Sequence, residues 1–320
     1  MKGRIEHDNQ THKRTIALLS NQPEIISRYY YARPITNTES SKYGLITAII
    51  RYSEYLKEHG RSIEDFEFLQ NQKSADFNMY VDYVSYKKDG TPNEDGNKVK
   101  NMKAVKSFYE FLAEEELISK NPFLKYKMPK DKKERPIITL NEDEIEKVKN
   151  SIQYNSRTPE RDLAIFVLGI RTGLRISSIR EINIEDINWE DMSITVTEKC
   201  NVTRNVYFGQ STKFALQDWI DYRNAVFKKV KTSALFLSNR GERISYNTIN
   251  YMLKQNTYML DKKITPHKLR GTFATNLYDE TEDIYITADA LGHKNLANTR
   301  RYARIDEKKR RKAAEIMDNL

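Results

Sequence analysis

Cysteine is nearly absent from this 320-residue chain, and its scarcity excludes two kinds of site. The one cysteine, Cys200, has no partner for an internal disulfide or for a cysteine-based zinc site. The five histidines never stand four residues apart, the spacing at which one helix face presents two metal ligands. We therefore predict no metal site and no cofactor.

Long hydrophobic runs are also missing. The longest, Ala164–Ile170, is far shorter than the roughly 20 apolar residues that a membrane helix requires. The first 15 residues lack the apolar core of a signal peptide. These observations predict a cytoplasmic protein with no membrane association.

Positive charge, in contrast, is in excess. Lys and Arg number 54 against 45 Asp and Glu, which gives a formal net charge of +9 and a pI near 9.2. Many basic proteins have no polyanionic partner, so the total alone leaves nucleic acid binding open. The distribution favours it, because residues 120–135 hold seven basic residues against two acids and residues 300–312 hold eight against two.

Residues from about 22 to 129 have the apolar spacing of helices. In residues 41–60, apolar side chains recur at three- and four-residue intervals up to Gly60, which is typical of a C-terminal helix cap. Residues 99–118 show a second such stripe, and residues 88–97 have the composition of a turn between helices. Residues 1–128 are therefore predicted to form a small helical domain.

Prolines and lysines interrupt this pattern and mark a basic linker over residues 129–138. Proline ends helices and stiffens the chain, while lysine keeps a segment in solvent. An ordinary charged loop and a linker that lies along a DNA backbone have the same composition, so both interpretations stay open. Asn141 and Glu144 then form a capping-box pattern near the start of a second domain, residues 139–320.

The second domain mixes helices with a small sheet. Residues 193–199 and 204–209 alternate as two strands of a hairpin, and residues 182–189 are a candidate third strand. Helical patterns cover residues 163–173, 212–227, 245–260 and 268–280. The predicted fold class is mainly α with a small antiparallel sheet in the C-terminal domain.

Two short segments contain residue types suited to binding an anion. His267 and Arg270 are three apart on a predicted helix, which places both on one face, although such a pair alone is a weak signal. Arg175 follows a Gly-Leu corner at a predicted helix start. Backbone N–H groups and a guanidinium can converge on an anion at such a corner.

Taken in chain order, six residues resemble the site of the tyrosine recombinase (phage integrase) family. "GLRIS" matches the first arginine segment, "EKCNVTR" the β-hairpin lysine, "HKLRGTFAT" the HxLR helix, "LGH" the second histidine and "NTRRYAR" the nucleophile segment. The resemblance runs from about Arg135 to Arg304 and more loosely upstream. It implies these catalytic residues: Arg175, Lys199, His267, Arg270, His293 and Tyr302.

Two positions depart from the family pattern. The family often has a carboxylate three residues after the first arginine, where this chain has Ser178, and a histidine after the HxLR arginine, where it has Gly271. In the family, both positions support the catalytic residues and do not take part in the chemistry. The two departures therefore affect how the catalytic residues are held in place.

The resemblance also implies an architecture and partners. The fold would be a two-domain C-shaped clamp, a helical core-binding domain plus a catalytic domain, whose C-terminal helix (about 305–320) docks on a neighbouring subunit. Folding of that helix back on its own core is equally open. The partner would be double-stranded DNA with paired half-sites, on which the protein would form a homotetramer once two sites are synapsed. The free protein would be a monomer or weak dimer. The resemblance also allows an accessory protein.

The activity implied is site-specific DNA recombination, and the basic residues supply candidate DNA contacts. Type IB topoisomerases use similar chemistry to relax supercoils, and a catalytically silent DNA-binding protein could keep the fold, so both stand as alternatives. The target sequence and the biological role are not predicted. The candidate DNA-binding residues are Lys120, Lys125, Lys127, Lys130, Lys132, Lys133, Arg204, Arg300 and Arg301.

Overall fold

The chain divides into two compact units in the computed structural model, Met1–Arg135 and Pro136–Leu320. Each unit has its own hydrophobic core. The structure describes residues 2–32, 34, 38–87, 89–129, 137–197, 203–293 and 295–303, together with positions 311, 315, 317 and 318. Of the helices within these residues, none is long and apolar enough to span a membrane.

The first unit is built from helices, as its apolar spacing predicts. A 3-10 turn at Pro122–Lys125 follows the last of them. The helices are α1 (Lys2–Leu19), α2 (Glu24–Tyr31), α3 (Glu39–Glu58), α4 (Phe66–Asn71), α5 (Ser74–Tyr83) and α6 (Asp95–Glu114).

Helices α3 and α6 form the centre of this unit. Their predicted stripes are buried, with Ile49 and Phe108 fully enclosed. Gly60 adopts φ 69° just beyond the end of α3, and the next N–H, of Arg61, donates to the Leu56 carbonyl oxygen at 2.8 Å. Helix α6 starts at Asp95, inside the segment predicted as a turn over 88–97, because Glu94 already adopts the extended conformation of a helix N-cap.

The second unit packs helices around α8, which is buried along nearly its whole length. Its neighbours in the fold include α7, α10 and α12. The helices are α7 (Glu142–Asn155), α8 (Pro159–Thr172), α9 (Ile176–Glu181), α10 (Gln210–Val226), α11 (Tyr246–Asn256), α12 (Pro266–Thr281) and α13 (Ile284–Leu291).

A three-stranded antiparallel sheet, in the order β1-β2-β3, completes the second unit. Strand β1 is Ile187–Asn188, β2 is Ser193–Thr197 and β3 is Thr203–Tyr207, and Val196 pairs with Arg204 across the hairpin. The predicted third strand over 182–189 is thus mostly wrong, because a 3-10 turn at Ile184–Asp186 occupies its middle. The mixed fold class is confirmed.

The capping box predicted at the start of α7 is present. The Glu144 N–H donates to Asn141 Oδ1 at 2.9 Å, and the Asn141 N–H donates to Glu144 Oε2 at 2.8 Å. Lys262 Nζ lies 2.6 Å from the same Glu144 oxygen and donates to the Thr139 carbonyl oxygen. This cap therefore connects α7 to the segment that precedes α12.

Candidate active site

Arg175 stands at a corner between α8 and α9 that requires glycine. Helix α8 ends at Thr172, Gly173 takes φ 63°, and Arg175 is the extended N-cap of α9. A Cβ at Gly173 would lie 2.3 Å from Phe273 Cδ1, so no other residue fits there without displacing that ring. The Arg175 side chain is half-buried, at the helix start that the sequence predicts.

Helix α12 carries His267 and Arg270, as predicted, but the two residues differ in exposure. Thr265 is the N-cap and Pro266 the first helical residue. His267 is exposed, whereas Arg270 is 5% exposed. Arg270 Nη1 donates to the Gly173 carbonyl oxygen at 2.7 Å, and its Nη2 donates to the Leu291 carbonyl oxygen. One guanidinium therefore connects the Arg175 corner to the end of α13.

The segment after α13 places His293 and Tyr302. Gly292 caps α13 with φ 63°, and the His293 N–H donates to the Ala288 carbonyl oxygen at 2.9 Å. His293 Nδ1 lies 2.9 Å from the hydroxyl of Thr299, which is fully buried. The backbone N–H of Tyr302 in turn donates to the Thr299 carbonyl oxygen at 2.8 Å.

Tyr302 is half-buried in a strongly basic turn. The Arg301 guanidinium carbon lies 5.8 Å from the centre of the Tyr302 ring, and the side chains of Arg300 and Arg301 are both exposed. A cation over an aromatic face is an attractive contact, and exposed guanidiniums are available to phosphates. The turn is suited to receiving a DNA backbone at the tyrosine.

The second unit thus connects four of the six predicted catalytic residues through one set of hydrogen bonds and backbone turns. The connected residues are Arg175, Arg270, His293 and Tyr302, and His267 stands on the first turn of α12. Lys199, which falls between β2 and β3 in the chain, lies outside the described residues. Within the described residues, no group of three or more His, Cys, Asp or Glu side chains forms a metal-binding cluster.

The candidate DNA contacts fall in both units. Lys120, Lys125 and Lys127 are exposed at the end of the first unit, and Arg204 is half-buried on β3. Lys130, Lys132 and Lys133 lie outside the described residues.

The two departures from the family pattern lie in well-packed positions. Ser178 is 9% exposed within α9. Gly271 is buried in α12, and a Cβ there would lie 3.5 Å from Ile137 Cγ2, in ordinary van der Waals contact.

Lys268, which none of the sequence motifs singles out, adds positive charge between His267 and Arg270. Burial, together with the positive charges of Lys263 and Lys262, holds the pKa of its ammonium below the ordinary value. Of these lysines, Lys262 is already paired with Glu144, while Lys263 is exposed. The repeated lysines at 262, 263 and 268 were a signal in the sequence, but only the fold brings them together.

The sequence model of the phage integrase family matches residues 139–309, more than half of the chain. The chain belongs to the phage integrase family. Its similar curated relatives include the tyrosine recombinase XerC of Caldanaerobacter subterraneus subsp. tengcongensis, 34% identical over 255 residues, which are 78% of this chain and 69% of that protein. The XerC of Anoxybacillus flavithermus is 30% identical over 247 residues, 76% of this chain and 81% of that one. This phage integrase family member is therefore an enzyme that cuts and rejoins DNA.

Solved structures agree on the fold. A complex of the XerH site-specific recombinase with palindromic difH substrate has a TM-score of 0.68 at 20% identity, covering 88% of this chain and 81% of that one. The Tn1549 transposon integrase in complex with circular intermediate DNA has a TM-score of 0.70 at 20% identity, covering 91% of this chain and 98% of that one. The family resemblance predicted from the sequence motifs is confirmed.

Proposed function

We propose that this enzyme is a site-specific recombinase that cleaves DNA through a covalent bond between Tyr302 and a 3′ phosphate. The observation that carries the proposal is the pair of hydrogen bonds from Arg270 to the Gly173 and Leu291 carbonyl oxygens. These bonds hold together the Arg175 corner and the start of the segment that carries His293 and Tyr302. Both ends of the predicted site are fixed to one buried guanidinium.

Such an arrangement suits attack on a phosphodiester. The non-bridging oxygens gain negative charge as the tyrosine oxygen bonds to phosphorus, and cationic donors aimed at those oxygens stabilise the transition state more than the ground state. Arg175 and Arg270 would supply guanidinium N–H groups, and His267 and His293 would add hydrogen bonds. A phenol is a weak nucleophile at neutral pH, so attack by Tyr302 would depend on the cationic groups that stabilise the charge on the phosphate.

The leaving 5′ oxygen must take up a proton, and we assign this general-acid role to Lys199. The phosphotyrosyl bond keeps the energy of the broken phosphodiester, so a 5′-hydroxyl from a second duplex can attack it without ATP. Two such exchanges pass through a Holliday junction. Because four protein side chains provide positive charge and hydrogen bonds to the phosphate, the reaction as proposed uses no metal ion.

DNA would bind through phosphate contacts and base contacts that have different roles. Exposed lysines at the end of the first unit and the arginines near Tyr302 suit phosphates, which fix position without reading sequence. Helix α11 exposes Asn247, Asn250 and Lys254 on one side, and amide and amino groups of this kind read base edges in the major groove. We propose that a tetramer assembles on two synapsed duplexes with paired half-sites.

Covalent trapping tests the proposal directly. The protein is mixed in EDTA with nicked duplexes from the DNA that flanks its gene, and a denaturing gel is run to detect protein-linked DNA. We expect a covalent band from the wild type and none from Tyr302→Phe. The matched control is Tyr285→Phe, an exposed tyrosine of α13, which should give the wild-type band.

The outcomes separate the competing functions. A covalent band from Tyr302→Phe would overturn the assignment of the nucleophile. Relaxation of supercoiled plasmids that carry no target site would favour a type IB topoisomerase. Strong DNA binding by the wild type without a covalent product on any flanking duplex would favour a catalytically silent member of the fold.

A further inference from the structure

Thr299 is a fully buried polar residue that the proposed chemistry does not use. Its hydroxyl lies 2.9 Å from His293 Nδ1, and its backbone carbonyl oxygen accepts the Tyr302 N–H at 2.8 Å. Its own N–H donates to the Leu296 carbonyl oxygen at 2.8 Å. One side chain thus contacts the second histidine of the site, while its backbone holds the turn that bears the tyrosine.

The direction of the hydrogen bond between Thr299 and His293 follows from which arrangement leaves no buried proton without an acceptor. Within the part of the chain that the structure describes, His293 Nδ1 is the partner found for the Thr299 hydroxyl. If Nδ1–H donated to the threonine oxygen, the hydroxyl proton would be left without an acceptor in a position with no exposure to water, which is costly. If the hydroxyl donates to Nδ1, both groups are satisfied, and the neutral imidazole carries its proton on Nε2.

We propose that Thr299 is a positioning residue that fixes His293 as the tautomer with its proton on Nε2, ready to donate to a phosphate oxygen. An imidazole with the proton on Nδ1 would present a lone pair at Nε2, and a lone pair repels an anionic oxygen. Thr299 also links the tautomer of His293 to the position of Tyr302, because its carbonyl oxygen accepts the Tyr302 N–H and so fixes the turn. The inference rests on the proposed function only in giving His293 a role at the phosphate.

Valine and serine substitutions at 299 separate the hydroxyl from the shape of the side chain. Thr299→Val keeps the volume and removes the donor, and it should lower the rate of covalent trapping about 10-fold or more, the typical effect of removing a partner that orients a functional histidine. Thr299→Ser keeps the donor and should stay within about three-fold of the wild-type rate. Binding to a half-site duplex should be unchanged in both variants, because neither alters a charge.

Thr287→Val is the matched structural control. Thr287 is also fully buried, and its hydroxyl donates to a helix carbonyl oxygen, that of Asp283, at 2.8 Å. If the loss in Thr299→Val came from removing any buried hydroxyl near α13, Thr287→Val would share it. We expect Thr287→Val to trap DNA at the wild-type rate.

A double-mutant cycle tests whether Thr299 acts through His293. In a His293→Ala background, Thr299→Val should add less than about two-fold to the defect. Equal losses with and without the histidine would overturn the inference, as would a Thr299→Val protein that traps DNA like the wild type.

Nitrogen NMR of 15N-histidine protein, with His293→Ala for assignment, reads the tautomer without any DNA. The wild type should show His293 protonated on Nε2, and Thr299→Val should show a mixture of tautomers. A His293 proton on Nδ1 in the wild type would overturn the inference even if cleavage is never observed. Failure of the proposed function is distinct, since it is the absence of a covalent product from wild-type protein.

Discussion

Arg270 donates to two backbone carbonyl oxygens from different parts of the second unit, each through a separate nitrogen of its planar, forked guanidinium. Lysine carries the same charge on a single nitrogen and cannot reproduce the fork. For holding these two segments together, the shape of the arginine side chain therefore matters more than its charge. The charge alone suffices to attract DNA, whereas the fork holds the Arg175 corner against the end of α13.

Arg270→Lys should separate these two contributions. We expect the cleavage rate to fall by about 100-fold, the scale of losing one preorganised donor at a developing negative charge, while half-site binding changes little. The measurement is single-turnover trapping on a nicked duplex beside a gel-shift titration. Arg171→Lys is the control, because Arg171 is 40% exposed and pairs with Glu142 on the surface, where such pairs contribute little. Wild-type cleavage by Arg270→Lys would contradict the role of the fork.

The sequence motifs predict six catalytic residues by type and order, but they do not predict the surroundings of those residues. His267 and Arg270 were expected on one helix face, yet the fold buries Arg270 and exposes His267. Thr299 carried no signal, since an isolated threonine in a polar turn is ordinary. Its importance arises from a contact with His293 that only the folded chain makes.

The cap of α7 illustrates how a local pattern gains a tertiary contact. Burial opposes the ionisation of Glu144, but hydrogen bonds from Lys262 and from the Asn141 N–H outweigh it and hold the pKa of this carboxyl below its ordinary value. A carboxyl with a lowered pKa stabilises the fold fully above the pKa of the unfolded chain, and that stabilisation is lost as the pH falls through the folded pKa.

Glu144→Gln therefore should destabilise the second unit at pH 7 by about 0.5 to 1 kcal/mol, and the difference from the wild type should vanish near pH 3. Glutamine can still accept the Asn141 N–H, so the change reports the charge opposite Lys262. Urea unfolding at both pH values measures it. Glu146→Gln is the control, since Glu146 is 61% exposed and pairs with Lys149 of its own helix. A difference that persists at pH 3 would point to the hydrogen bond and away from the charge.

Helices with long apolar stripes were predicted well, and short elements were not. The stripes of α3 and α6 run over 20 residues each, which is enough for the 3.6-residue period to show. Helix α13 has 8 residues, and the supposed third strand contains a 3-10 turn. Over such lengths tertiary packing outweighs local pattern, so the sequence could not supply these elements.

Across the whole molecule, positive charge should make DNA binding strongly dependent on salt. Each phosphate neutralised by a lysine contributes about 0.9 to the slope of log affinity against log salt. Lys125 and Lys127 are exposed, so the double variant Lys125→Ala/Lys127→Ala should reduce the slope by about 2 if both contact phosphates. Lys106→Ala is the control, because Lys106 pairs with Glu110 on α6. Binding that is insensitive to salt in the wild type would contradict this electrostatic account.

Assembly on DNA provides a second test involving the whole molecule. The apolar stripe of the C-terminal segment suits either its own subunit or a neighbour, and we propose a neighbour. Deleting residues 306–320 in Tyr302→Phe protein should weaken the synaptic complex on gels more than it weakens binding to one half-site. Met317→Ser, which changes one residue that is 67% exposed, should act in the same direction with a smaller effect. Equal losses in both complexes would indicate packing within one subunit.

The two hydrogen bonds of Arg270 also constrain when the candidate site can be completed during synthesis of the chain. They join residues 97 and 21 positions apart, so the guanidinium has both acceptors only after α13 has left the ribosome. Contacts between distant residues form late in folding, because closing a long loop costs entropy before the contact can stabilise the fold. A nascent chain therefore carries the basic residues at the end of its first unit well before Arg270 has both of its acceptors. Only a chain synthesised past α13 would hold the Arg175 corner against the end of that helix.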